Sequence, residues 1–269
     1  MGLMIGTADS EAATFNMLAA VPVPPQTASY TPLAYPEYVS LVKDAYASLL
    51  DLQVTEEEYC LARQGQRMFG VIKFRPERAA IAKIQHNPEY TFSVIVRSSY
   101  DRSMSNAFGH GANVTVCSNG IFSANGMTAF SKHTKNLHST LESRIAMGVV
   151  RAKRDFVALG TDITGMKQIG LTTDLGFAFL GMCRGRGVMN PTQFNRASEY
   201  WARPPHREHE ERSLWSAYNA VNHSLKTSKP VNALNGFTGL HGAARAFSTT
   251  FAQDFQSLVI DGTCEVTDA

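Results

Sequence analysis

Two hydrophobic periods alternate along this chain. Val39, Val42, Ala45, Tyr46 and Leu49 recur at helical spacing behind Pro36 and Glu37, which predicts a short amphipathic helix over 39–52. From Tyr59 the period falls to two, the spacing of strands. Residues 59–63 and 67–75 flank Gln64-Gly65-Gln66, a hairpin signal, and 90–99 and 113–118 add two further strands. The helical period returns over 132–156, where Leu137, Leu141, Ile145, Val149 and Phe156 form an inward stripe. Four more helices are predicted near 172–184, 191–201, 210–225 and 234–251, with Gly185 and Gly187 closing the first and Asn190-Pro191 opening the second.

Alternation sorts the strand side chains by face. Met68, Ile72, Phe74, Phe92, Val94, Val96, Val114 and Val116 fall on a core face. Arg67, Lys73, Arg75, Thr91, Ser93, Arg97, Asn113 and Thr115 fall on the other, interspersed with Phe69, Val71 and Ile95. The expected fold is therefore α+β: an antiparallel four-stranded sheet packed on a long helix, with a helical C-terminal subdomain. Five of the eleven prolines, Pro22, Pro24, Pro25, Pro32 and Pro36, precede the first helix, so 1–36 reads as an extended arm, 37–156 as the α+β core and 157–269 as the helical part.

At 269 residues and 44 % hydrophobic content the chain can bury a core. No apolar run is long enough for a membrane span, and residues 1–20 lack the pattern of a secretory signal, so a cytoplasmic protein of a bacterial host is expected. Cys60, Cys117, Cys183 and Cys264 are too widely spaced for a zinc ribbon or a disulfide framework. The net charge of +2 hides an asymmetry: 1–60 holds eight acids and one Lys, 61–111 eight basic residues against three acids, and 132–154 six against one. A basic middle points to an anionic partner such as nucleic acid, with the acidic N-terminal region competing for or covering the same surface.

The segment Arg97-Ser98-Ser99-Tyr100-Asp101-Arg102-Ser103, followed by Gly109-His110-Gly111-Ala112 and Val116-Cys117-Ser118-Asn119, resembles the signature of domain of unknown function family 932, found in phages, plasmids and integrated elements. Ser131-Lys132-His133-Thr134 and the run from Glu211 to Val221 add to the resemblance, which covers roughly 37–251. It implies a mobile-element protein and leaves the chemistry open. The order of hairpin, further strands and long helix is also similar to the core of Rad52-like single-strand annealing proteins.

Catalytic and metal constellations weigh little. Cys117 with His133 and Asn119 has the makings of a thiol nucleophile, but a Cys closing a strand is more often a packed residue. His206-x-x-His209 suits one helix face, while His133 and His138 are wrongly spaced, so no metal and no cofactor is expected. Gly109-His110-Gly111 reads as a turn between strands, and Gly181 to Gly187 lacks the Lys-Ser/Thr of a phosphate loop. The expected function is non-enzymatic binding of single-stranded nucleic acid by a homo-oligomer in recombination or replication. Arg67, Lys73, Arg75 and Arg97 would contact phosphates, Phe69 would stack, and Lys132, His133, Lys135 and Arg144 would extend the track. The alternative is a protein-interaction factor that antagonises or modifies a host system, using the proline-rich arm and the acidic N-terminal region to bind a partner.

Overall fold

The computed structural model describes residues 10–78, 84, 87–115, 120–121, 129–131, 133–134, 136–228 and 230–261. Five antiparallel strands stand in sequence order: β1 (Ser10–Ala13), β2 (Leu52–Ala62), β3 (Arg67–Pro76), β4 (Tyr90–Ser99) and β5 (Asn106–Val114). Two short strands, β6 (Gly120–Ile121) and β7 (Ala129–Ser131), pair with opposite ends of β5 and bring the sheet to seven. The expected α+β class holds and the count of four strands is corrected upward.

The β2–β3 hairpin lies where its turn residues place it. Arg63, Gln64 and Gly65 all have positive φ, and the Gln66 N–H donates to the Arg63 carbonyl at 3.1 Å. The β4–β5 connection is a tighter turn than the loop expected there. Asp101 Oδ1 accepts the Ser103 N–H at 3.0 Å, and the Ser99 hydroxyl donates to the Met104 carbonyl at 3.0 Å. β5 therefore begins at Asn106 rather than Asn113, and Gly109-His110-Gly111 lies inside a strand. Small residues hide its alternation, so its register is imposed by β4, where Val94 faces His110 and Ile95 faces Gly109.

On the core face the sheet packs against α2 (Tyr35–Leu50) and α3 (Leu137–Gln168). Pro36 in its first turn and a left-handed Asp51 bound α2, whose Tyr38, Val39, Val42, Tyr46 and Leu50 are buried. The ring of Tyr46 lies 5.5 to 6.1 Å from those of Phe74, Phe92 and Phe108, joining three strands to one helix. The Tyr46 hydroxyl reaches His110 Nδ1 at 3.2 Å, and His110 Nε2 reaches Asp155 of α3 at 3.0 Å.

The opening stretch differs from a bare extended arm. β1 pairs with β2, α1 (Phe15–Ala20) is capped by Thr14, and Leu18, Tyr30 and Leu33 are buried. The prolines occupy the link between these pieces, where no ladder hydrogen bond is needed.

The C-terminal part is helical: α4 (Thr173–Gly185), α5 (Pro191–Ala202), α6 (Leu214–Leu225) and α7 (Pro230–Asp261). Asn190 and Gln193 form a reciprocal capping box on α5, and α6 is enclosed almost all round. The expected boundary at 156 falls inside α3, which runs unbroken for 32 residues, and one buried cluster spans both parts from Leu18 to Ala244. Among the described residues no helix is long and apolar enough to cross a membrane.

Candidate nucleic-acid interface

The expected interface is the sheet face opposite α2 and α3. Its centre is closed: Phe69, Val71 and Ile95 are 4 %, 2 % and 7 % exposed, and Ser93 is wholly buried. Phe69 sits in a small cluster with Cys60, Ala62 and Met104, so it has no ring face to offer a base. The assignment of Phe69 as a stacking residue is therefore corrected, because packing on both sides of the sheet consumes the surface that a base would need.

The cations of that face are held by neighbouring strands. Arg67 Nε donates to Asp101 at 2.8 Å, and Lys73 Nζ to Glu56 at 2.8 Å across the β2–β3 ladder. Arg97 is half-buried, and burial pulls its guanidinium pKa down despite the nearby Tyr38. Arg75 stays exposed, opposite Gln53. Beyond the expected residues, Arg78 pairs with Asp51, and Lys43 on α2 pairs with Glu57 at 3.0 Å. Two cations of the next basic stretch, Lys73 and Arg78, thus pair with acids of the first sixty residues, while Arg67 pairs within its own stretch.

His133 is also buried. Its carbonyl accepts the Thr31 N–H at 3.1 Å, its ring lies 5.5 Å from Tyr30, and burial pulls its pKa down. Arg102 stacks over the other side of this group, 4.4 Å from the Tyr30 ring. Tyr100 stacks on Tyr35 at 3.9 Å and accepts the Tyr35 N–H at 3.1 Å. The segment from Arg97 to Ser103 thus fastens the first forty residues to one end of the sheet. Lys132, Lys135 and Cys117 lie outside the described residues.

The second basic stretch has a different setting. Leu141, Ile145, Val149, Ala152, Phe156, Leu159 and Ile163 bury the inner face of α3, leaving Arg144, Arg151, Lys153 and Arg154 exposed. Arg154 is 75 % exposed while bridging to the adjacent Asp155 at 3.1 Å. Between these cations runs an apolar stripe: Met147, Val150 and Val157 are 64 %, 72 % and 61 % exposed. From Arg144 to Arg154 the track is about 15 Å long at the helical rise. Of the expected site residues that are described, only Arg144 belongs to it. Arg151, Lys153 and Arg154 were legible as residues off the inward stripe, and that signal alone identifies them.

Toward the C-terminal half of α3 the track meets a cleft of about 610 Å³ between Lys153, Phe156, Gly160, Thr164 and Gln168 on the helix and Asn87 and Tyr90 at the start of β4. Nothing in the hydrophobic pattern marked it.

The other candidate centres resolve into packing. Tyr200 holds His209 through a 2.7 Å hydrogen bond, and burial, then neighbouring His206, pulls the His209 pKa down to about 4. Among the described residues no group of three His, Cys, Asp or Glu is arranged to hold a metal ion. Burial pushes the thiols of Cys60 and Cys183 up to about 12, far from thiolate chemistry. In the Tyr46-His110-Asp155 relay, burial raises the tyrosine pKa well above its ordinary value and lowers that of the histidine. Tyr46 is fully buried and the relay braces α2, β5 and α3, ending at the partly exposed Asp155. No family model, no curated protein and no solved structure matches this chain.

Proposed function

We propose that this protein binds single-stranded nucleic acid without catalysing a reaction, in the recombination or replication of a mobile element, and that the phosphates lie along α3. The observation that carries this reading is the exposed face bearing Arg144, Arg151, Lys153 and Arg154, against the acids Glu142 before them and Asp155, which bridges to Arg154, after them. Four cations over three helical turns offer a row of charge at a spacing that an extended strand can follow, and the apolar stripe between them offers contact to base faces.

The test replaces Arg144, Arg151 and Arg154 together by Ala and follows binding of a labelled single strand across a salt series. All three side chains are exposed, so the variant keeps its cooperative melt. The expected result is a loss of about 100-fold at low salt and a slope of log affinity against log salt shallower by about 2 units. Unchanged affinity in the folded variant overturns the reading.

One observation favours a second reading, that of a protein-interaction factor. Met147, Val150 and Val157 recur at three- and seven-residue steps on the solvent side of α3, the spacing by which one helix receives another. A stoichiometric protein complex that forms without nucleic acid and is insensitive to salt is its signature.

A further inference from the structure

We infer that the cleft between α3 and the start of β4 is a binding site for a single nucleobase, unstacked from the strand whose phosphates follow α3. This rests on the nucleic-acid reading and adds to it a place where the base, rather than the backbone, is held.

Four observations carry the inference. The cleft volume of about 610 Å³ lies within the range of small-molecule sites, about 300–1,000 Å³. One wall is aromatic, with Tyr90 set edge-on against Phe156 at 5.6 Å, and the remainder offers the amides of Asn87 and Gln168 and the hydroxyls of Thr161 and Thr164. This combination serves a flat heterocycle with hydrogen-bonding edges. The described lining includes one cation, Lys153, and no carboxylate, and the nearby Glu89 is paired with Lys167. Lys153 is also a member of the exposed row on α3, which makes phosphate track and cleft continuous.

Two glycines of α3 explain how the space is kept. A Cβ on Gly160 would stand 2.6 Å from the Tyr90 hydroxyl, so the absent side chain lets the tyrosine close the wall. A Cβ on Gly165 would meet nothing within 4 Å, so no packing demands a glycine there, although a glycine inside a helix costs about 1 kcal/mol relative to Ala. Gly165 lines the cleft, and a larger residue would fill it.

The test compares a labelled oligonucleotide with an abasic strand of equal length and charge. Wild-type protein is expected to bind the base-bearing strand about tenfold more tightly, the scale of one base held by stacking. Gly165→Leu should cut the preference for the base-bearing strand about tenfold, down to what the apolar stripe of α3 supplies, and leave the abasic strand unaffected, while Gly165→Ala keeps the full preference. Should Gly165→Leu fail to fold, Thr161→Leu narrows the same cleft from the neighbouring turn. Equal wild-type affinity for the two strands overturns the cleft while the phosphate reading stands, as does a preference undiminished by filling. Failure of both strands to bind overturns both.

Discussion

Residues 61–111, which supply β3 and β4, and residues 132–154, which lead into and along α3, each carry five more basic than acidic residues, yet their cations end in different places. Lys73 and Arg67 are drawn into pairs with Glu56 and Asp101, while Arg151, Lys153 and Arg154 face solvent. Topology makes the difference. A hairpin sets β3 beside β2, and β2 comes from the acidic stretch, so Glu56 cancels Lys73 across the ladder, while the turn after β4 brings Asp101 to Arg67. A helix with one face buried keeps its opposite face wherever no later element covers it. A charge count along a chain therefore becomes a surface only once the spatial neighbour of each segment is known.

The comparison makes Phe69 a matter of stability rather than of binding. Phe69→Ala should destabilise the protein by about 3–5 kcal/mol through the cavity it leaves, and the folded fraction should bind a single strand as before. Denaturant unfolding with binding measured below the transition separates the two. A stable variant with weakened binding would return the interface to the sheet.

A smaller effect is expected at Asp101. Its burial raises the carboxyl pKa, but hydrogen bonds from the Ser103 side chain and backbone and from Arg67 outweigh that and hold it below the ordinary value. The stabilisation is thus present above the ordinary aspartate pKa of about 4 and is lost as pH falls through the lower folded value. Asp101→Asn should cost about 1–2 kcal/mol at neutral pH and show a shallower loss of stability on acidification, read from urea midpoints across a pH series. Parallel acid limbs in the two proteins would show that the Arg67 pair contributes no net stability.

The smallest effect belongs to the exposed partner on β2. Glu56→Gln should change stability by no more than about 0.5 kcal/mol and leave strand binding where it was, since releasing Lys73 does not open the closed centre of the face. A gain in affinity at low salt would break the contrast between the two basic stretches.

Much of the scaffold was legible. The β2–β3 turn, β4, the inner stripe of α3 and the capped start of α5 each carry a strong local signal, and each is found within a few residues of its expected place. β5 escaped because Ala107, Gly109 and Gly111 give alternation no contrast, so only pairing with β4 determines where it starts. β1 escaped because its four residues are too few to show a period of their own. The candidate site was less legible. Alternation places Arg67, Phe69 and Lys73 on one face, but whether that face is open depends on what lies across it, and Glu56 and Asp101 are distant in the chain. The cleft depends on Tyr90 meeting Gly160, two residues seventy apart.

The unbroken α3 has a mechanical consequence. A helix of 32 residues is a beam about 48 Å long, and this one is seated at one end against the sheet and α2 and at the other against α6 and α7. A load applied to its outer face is shared by both supports, and a chain cut at residue 156 would sever the beam near its middle. The sheet and the helical bundle should therefore lose their slow amide protons together, as one span failing rather than as two separate structures.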